Sequence, residues 1–223
     1  MQQVDVAGPA PSMPPVRGES LSKRLWNLDW AAILPWQFEE VSVESAHFDD
    51  ALPFIREHYA RIFGAAENEA RFLASPMTEA KRRFCQEADV FLFRVEGKTV
   101  GMFMSHPSDW STYYMRTAAL LPEYRGRGLV SRFMERICAP LRAVGVERLE
   151  GDVSPANTPM MRLHIGQGFL ATSTVCSERW GTIVHFTRHL SAEADSIFRR
   201  QFCNTPPPVR DGRADPTTQR RTS

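Results

Sequence analysis

Pro122-Glu123-Tyr124-Arg125-Gly126-Arg127-Gly128-Leu129-Val130 is the stretch from which the rest of the chain can be read. An apolar run, Thr112 to Leu121, precedes it and reads as a strand. Leu129 to Val144 follows, with Phe133, Ile137, Leu141 and Val144 at helical spacing and Gly145 placed to end the helix. A turn from strand into helix leaves backbone N–H groups unpaired at the positive end of the helix dipole, where they can cradle a pyrophosphate. Gly126 and Gly128 let the backbone approach such a group without a Cβ in the way, and Arg125 and Arg127 add charge. The other reading is a turn that binds nothing. Neither GxGxxG nor GxxxxGK[ST] occurs, so a dinucleotide or nucleoside triphosphate fold is unsupported.

Working outward, Val146 to Val153 reads as a strand, Thr158 to Gln167 as a helix, and Leu170 to Ser177 with Thr182 to Arg188 as a closing strand pair. Pro140 inside the Leu129–Val144 helix predicts a kink or an early end, because it removes a donor and crowds the preceding turn. Upstream, Val90 to Val95, the turn Glu96-Gly97-Lys98 and Thr99 to Ser105 form a hairpin pattern. A first strand is expected over Phe38 to Val43, a helix over Phe48 to Phe63, and one or two helices over Glu67 to Cys85. Trp26, Trp30 and Trp36 cluster before the first strand, either as core packing or as a substrate contact. This order predicts a mixed α/β fold with one sheet of about seven strands and helices on both faces.

The 223 residues suit one domain. Met1 to about Ser20 and Asn204 to Ser223 are rich in proline and polar residues, so 1–20 and 204–223 are expected as disordered extensions to a domain over 21–203. The 27 Lys and Arg nearly balance 26 Asp and Glu, which gives no reason to expect a nucleic acid or membrane partner. Cys85, Cys138, Cys176 and Cys203 show no metal-ligand spacing, so no metal is expected. With no secretory leader and no apolar run near the roughly 20 residues that span a bilayer, a cytoplasmic protein is expected.

Leu120-Leu121-Pro122 and the residues after it, through Leu129, closely resemble the acyl-CoA-binding motif of the GNAT N-acetyltransferase superfamily. Asn157, Leu163, His164 and Gly168-Phe169 resemble the family's second motif, an Asn after the fifth strand followed by Leu-Tyr and then Gly-Phe. The order of elements from about Phe38 to Leu190 is also similar to the family's. The resemblance implies a mostly antiparallel central sheet and acetyl-CoA as co-substrate. It further implies that Arg125, Gly126, Arg127, Gly128, Leu129 and Val130 hold the pyrophosphate, that Ala118, Ala119 and Leu120 pair with the pantetheine arm, and that Asn157 holds the pantetheine or adenine side.

Val130 stands where the family prefers Gly or Ala, and His164 where it has a Tyr that protonates the departing thiolate. An imidazole can donate near neutral pH, so His164 either keeps that role or merely packs. An acceptor ammonium with a pKa of about 10 must lose a proton before it attacks, which requires a base or water relay. Asp152 is the candidate, since some family members place an acid five residues before the motif Asn, and Glu150 on the same strand face is the second choice. A backbone N–H near Ala119 would stabilise the oxyanion. His106 and the Asp109-Trp110 turn could line the acceptor site. The expected activity is acetylation of a small-molecule primary amine by a monomer or homodimer. Acetylation of a protein N-terminus or lysine, and a silent acyl-CoA-binding module, are the alternatives.

Overall fold

The hairpin expected after Val90 forms the middle of the sheet. In the computed structural model, which describes residues 18–63, 78–177 and 181–203, Asp89–Val95 (β3) and Lys98–Pro107 (β4) join through Glu96 and Gly97, with φ of 49° and 80°. Two successive residues at positive φ match the right-handed twist of the flanking strands. Thr112–Leu120 (β5) pairs antiparallel with β4, and Val41–Ala46 (β2) with β3. A Cβ at Gly101 of β4 would stand 2.7 Å from the Ala119 carbonyl oxygen, so only glycine lets the end of β5 lie this close.

The single first strand expected over Phe38 to Val43 is two strands. Trp36–Phe38 (β1) turns at Glu39, φ 56°, and returns as β2 with Phe38 opposite Val41. Phe38 and Val41 are both buried while Glu39 and Glu40 are exposed. That spacing breaks a period of two and marks the turn.

Arg148–Val153 (β6), Leu170–Ser177 (β7) and Gly181–His189 (β8) complete a sheet of eight strands in the order β1-β2-β3-β4-β5-β6-β8-β7. Eight replaces the expected seven because of the extra hairpin. Neighbours are antiparallel except β5 and β6, so the sheet is mixed and mostly antiparallel.

Helices cover both faces. Leu21–Trp26 (α1), Trp30–Ile33 (α2), Phe48–Phe63 (α3) and Glu79–Gln86 (α4) precede β3. Leu129–Ala143 (α5), Thr158–Gly166 (α6) and Ala192–Phe198 (α7) follow β5, β6 and β8. Of the helices expected over Glu67 to Cys85, α4 lies in the described residues and 64–77 lie outside them. Residues 1–17 and 204–223 also lie outside, and with them the expectation about both ends; Ser20 caps α1, its hydroxyl accepting from the Lys23 N–H.

On one face Phe91, Phe93, Phe103 and Tyr113 pack against Phe133, Ile137 and Leu141 of α5 and against Trp30 and Trp36. On the other, Val90, Leu92, Met102 and Met104 pack against Phe48, Ala51 and Phe54 of α3. This two-sided cover explains the unbroken apolar run of β3. Trp30 and Trp36 are therefore core residues, 3% and 7% exposed. The early end expected at Pro140 does not occur. α5 runs on to Ala143 because the carbonyl Pro140 leaves unpaired belongs to exposed Arg136, while Phe133, Ile137 and Leu141 hold the buried stripe. Among the described residues no helix is long and apolar enough to cross a membrane.

Candidate active site

β5 and β6 pair in parallel for four residues, from Thr112 opposite Arg148 to Met115 opposite Gly151. β5 then continues to Leu120 through a bulge, with Ser105 opposing Met115 and Met104 opposing Thr117, which leaves Arg116 as the extra residue. A bulge bends its strand and increases the local twist, so here the two strands part. Leu121 N–H donates to Val100 O of β4 at 2.9 Å. Strand alternation then turns the backbone groups of Ala119 toward β4 and those of Ala118 and Leu120 toward the opening. Arg125 reaches back across the turn, its Nε donating to Leu120 O at 3.0 Å.

The turn into α5 begins with a 3₁₀ turn, Pro122–Tyr124, and ends with Gly126 and Gly128 at φ 73° and 71°. Gly128 is the N-cap, no side chain caps the helix, and the first helical bond is Arg132 N–H to Gly128 O at 2.9 Å. The N–H groups of Leu129, Val130 and Ser131 therefore have no helical acceptor. Nothing among the described residues lies within 4 Å of a Cβ built on Gly126 or Gly128, so the space beside these two glycines is open. The arginines do not fill it. Arg127 pairs with Glu40 and lies over the Tyr124 ring, and Arg132 pairs with Glu39. The β1–β2 turn thus anchors the loop, and the backbone supplies the positive potential at the helix end. Leu129 is buried and Val130 packs half-buried against the core.

On the face of the sheet that carries α3, Asp152 is held from two sides. Tyr114 Oη donates to Asp152 Oδ2 at 2.8 Å, and His185 Nδ1 lies 2.8 Å from Asp152 Oδ1. The other His185 nitrogen is 3.5 Å from Glu150 Oε2. Glu150 and Asp152 together hold the imidazole pKa up at about 9, so His185 is a cation at neutral pH. In return His185 holds the Glu150 carboxyl below its usual range. Burial and the Asp152 carboxylate push the Tyr114 phenol up, which keeps it a donor. Arg148 extends the chain of charges, bonding Glu150 at 3.1 Å and Asp109 at 2.9 Å. Asp109 also accepts from Ser111 N–H and Thr112 Oγ1, so it is a turn carboxylate, and Trp110 beside it is 79% exposed. His106 stacks edge-on to Tyr114 and Phe84.

His164 lies on the opposite face of β6, 3% exposed, between Phe169 and Phe186. Its Nδ1 is 2.9 Å from Met160 O, and a carbonyl only accepts, so the ring proton sits on Nδ1. The bare Nε2 faces Gly151, where a Cβ would come within 3.4 Å. Burial lowers the pKa of this ring. Asn157 caps α6, its Oδ1 accepting from Met160 N–H at 3.3 Å, and its Nδ2 has no partner among the described residues. The fold thus brings Ala118–Leu120, the glycine turn and the first turn of α5 to one end of the sheet. Asp152 and His164 sit on opposite sides of β6. Sequence reading missed Tyr114, Arg116 and His185, whose places depend on strand register. Among the described residues no group of three or more His, Cys, Asp or Glu is placed to hold a metal ion.

The profile of the Acetyltransferase (GNAT) family matches residues 30–169, which spans the sheet from β1 to β6 with α5 and α6. The protein belongs to this family and is an acetyltransferase. No curated protein sequence matches the chain. Among solved structures it is similar to the ribosomal-protein-S5-alanine acetyltransferase of Vibrio fischeri, with TM-score 0.54 and 14% identity over 71% of this chain and 98% of that one. It is also similar to an N-acetyltransferase of Staphylococcus aureus Mu50, with TM-score 0.52 and 15% identity over 68% and 99%. A third is yncA of Salmonella typhimurium, solved with its cofactor acetyl-CoA, with TM-score 0.52 and 16% identity over 69% and 96%. At these identities the likeness is one of fold.

Proposed function

We propose that the protein is a cytoplasmic N-acetyltransferase that moves the acetyl group of acetyl-CoA to the primary amine of a small molecule. The observation that carries this reading is the uncapped N-terminus of α5 beside the parting of β5 and β6, with a carboxylate on the far side. The N–H groups of Leu129, Val130 and Ser131 suit the pyrophosphate. The opening-side groups of Ala118 and Leu120 suit the amides of the pantetheine arm, and a free N–H among them suits the oxyanion. Asn157 Nδ2 is available to the same arm.

The amine nitrogen bonds to the thioester carbonyl carbon, the carbon–sulfur bond breaks, and the sulfur leaves with the bonding pair. Asp152, partly exposed and fixed by Tyr114 and His185, attracts the incoming ammonium and takes its proton directly or through water. His185, already protonated at neutral pH, cannot serve as that base. His164 is ill suited to return a proton to sulfur, since its one proton is engaged by Met160 O and burial opposes a second. A thiol with a pKa of about 8.5 leaves well enough as thiolate without an acid. The free thiols Cys85, Cys138 and Cys176 support a reducing compartment.

Calorimetric titration with acetyl-CoA, followed by a thiol-release assay over a panel of amines, tests the reading. Micromolar binding with turnover of small amines is expected. Binding with turnover only on peptides or proteins would move the acceptor to a macromolecule, binding without any turnover would make the chain a silent acyl-CoA module, and no binding would overturn the reading.

A further inference from the structure

Where β5 parts from β6, a cation follows the last paired residue of one strand and a carboxylate that of the other. Tyr114 opposes Glu150 and Met115 opposes Gly151, and Arg116 and Asp152 are the next residues on the two strands where the pairing ends. Arg116 is the bulged residue, which frees its side chain from strict alternation. It is exposed and lies on the α3 and α4 face, its guanidinium carbon 5.1 Å from the centre of the Phe84 ring of α4. Its charge bears on Tyr114 and His106, the aromatic groups beside Asp152.

Yet Arg116 has no carboxylate within ion-pair distance among the described residues; the partners there of Asp152 are Tyr114 and His185 and those of Glu150 are His185 and Arg148, which leaves each carboxylate oxygen a further lone pair. The Phe84 ring, 49% exposed, holds the guanidinium plane in place by cation–π attraction without using its hydrogen-bond donors. A planar fork of donors on one strand and an acid on the next match the two ends of a zwitterion.

Resting on the acetyltransferase reading above, we propose that the acceptor is an amino acid, with Arg116 binding its carboxylate and Asp152 its amine. Phe84 and His106 then form the apolar floor under the acceptor's carbon chain. A peptide N-terminus, whose first carboxyl is an amide, loses the Arg116 contact.

The test compares kcat/KM for free amino acids with their carboxamides, in the wild type and in Arg116→Ala and Arg116→Lys. The panel covers the L-α-amino acids, β-alanine and γ-aminobutyrate. The amine of a carboxamide is the more acidic and hence the more available at neutral pH, so only recognition of the carboxylate makes the acids the better substrates. Wild-type enzyme is expected to favour at least one amino acid over its carboxamide by more than about tenfold. Arg116→Ala should erase that preference, chiefly through KM, and Arg116→Lys should restore part of it, with acetyl-CoA titration reporting that each variant is folded. Equal use of acids and carboxamides by the wild type, or an unchanged preference in Arg116→Ala, would overturn this proposal while leaving the acetyltransferase standing. Loss of acetyl-CoA binding in the wild type would instead remove the reading beneath it.

Discussion

At neutral pH the His185 imidazolium lies between two carboxylates, and its protonation is linked to folding. Unfolded, the imidazole titrates near its ordinary value of about 6.5; folded, at about 9. A base whose pKa rises on folding stabilises the protein fully below the unfolded value and loses that contribution as the pH climbs through the folded one. The stabilisation is on the order of 2 kcal/mol, reduced from the full shift because the side chain is 26% exposed. Thermal melts of wild type and His185→Gln should therefore differ most near pH 6 and converge above about pH 9; a gap independent of pH would rule the linkage out. Asp152→Asn keeps the shape of the side chain but removes the charge that meets the ammonium in the proposed mechanism. Its kcat should fall about a hundredfold, with acetyl-CoA affinity within about twofold of wild type by titration. Full activity in the variant would take Asp152 out of the mechanism.

Among the elements, α5 carries the proposed phosphate site, since its first turn has no capping side chain and the space beside Gly126 and Gly128 is open. Gly128 holds φ 71°, a conformation that Asp tolerates better than most residues. Gly128→Asp places a carboxylate at the open N–H groups, where it favours the helix dipole and repels a phosphate. Acetyl-CoA affinity should fall by at least about tenfold while the melting temperature changes little. Unchanged affinity would place the phosphates elsewhere. The motif from Pro122 to Val130 was legible because its chemistry is local, a strand end, two glycines and a helix start in sequence. The β1–β2 hairpin was not, since alternation read across Phe38 to Val43 passes over a turn of two exposed glutamates. α7, capped by Ser191, was also unforeseen, its seven residues being too few to show a helical stripe.

In the whole molecule, the site depends on a core that ties α5 to the sheet. The Phe133 ring centre lies 4.9 to 5.9 Å from those of Phe91, Phe103, Phe93 and Trp36. Phe133→Ala removes this shared contact and should cost about 3–5 kcal/mol of stability in chemical denaturation. A loss below about 1 kcal/mol would mean that the cluster repacks freely. A second tie is buried: Asp89, 4% exposed, accepts from Tyr113 Oη at 2.9 Å and from Ser22 Oγ, so that α1 is fastened to β3 and β5.

By itself the sequence carried the mixed α/β class, because periods of two and 3.6 are written in neighbouring residues, and the family through the resemblance of its Leu120–Leu129 motif; from that resemblance came the proposed phosphate turn and the proposed base, the carboxylate of Asp152. Only the tertiary structure decided which residues surround that carboxylate. Tyr114 and His185 reach it from strands far apart in the chain, through a register that no local pattern records. It also set His164 on the other side of β6 with its proton already engaged, since the face a side chain occupies depends on the pairing of the strands beneath it.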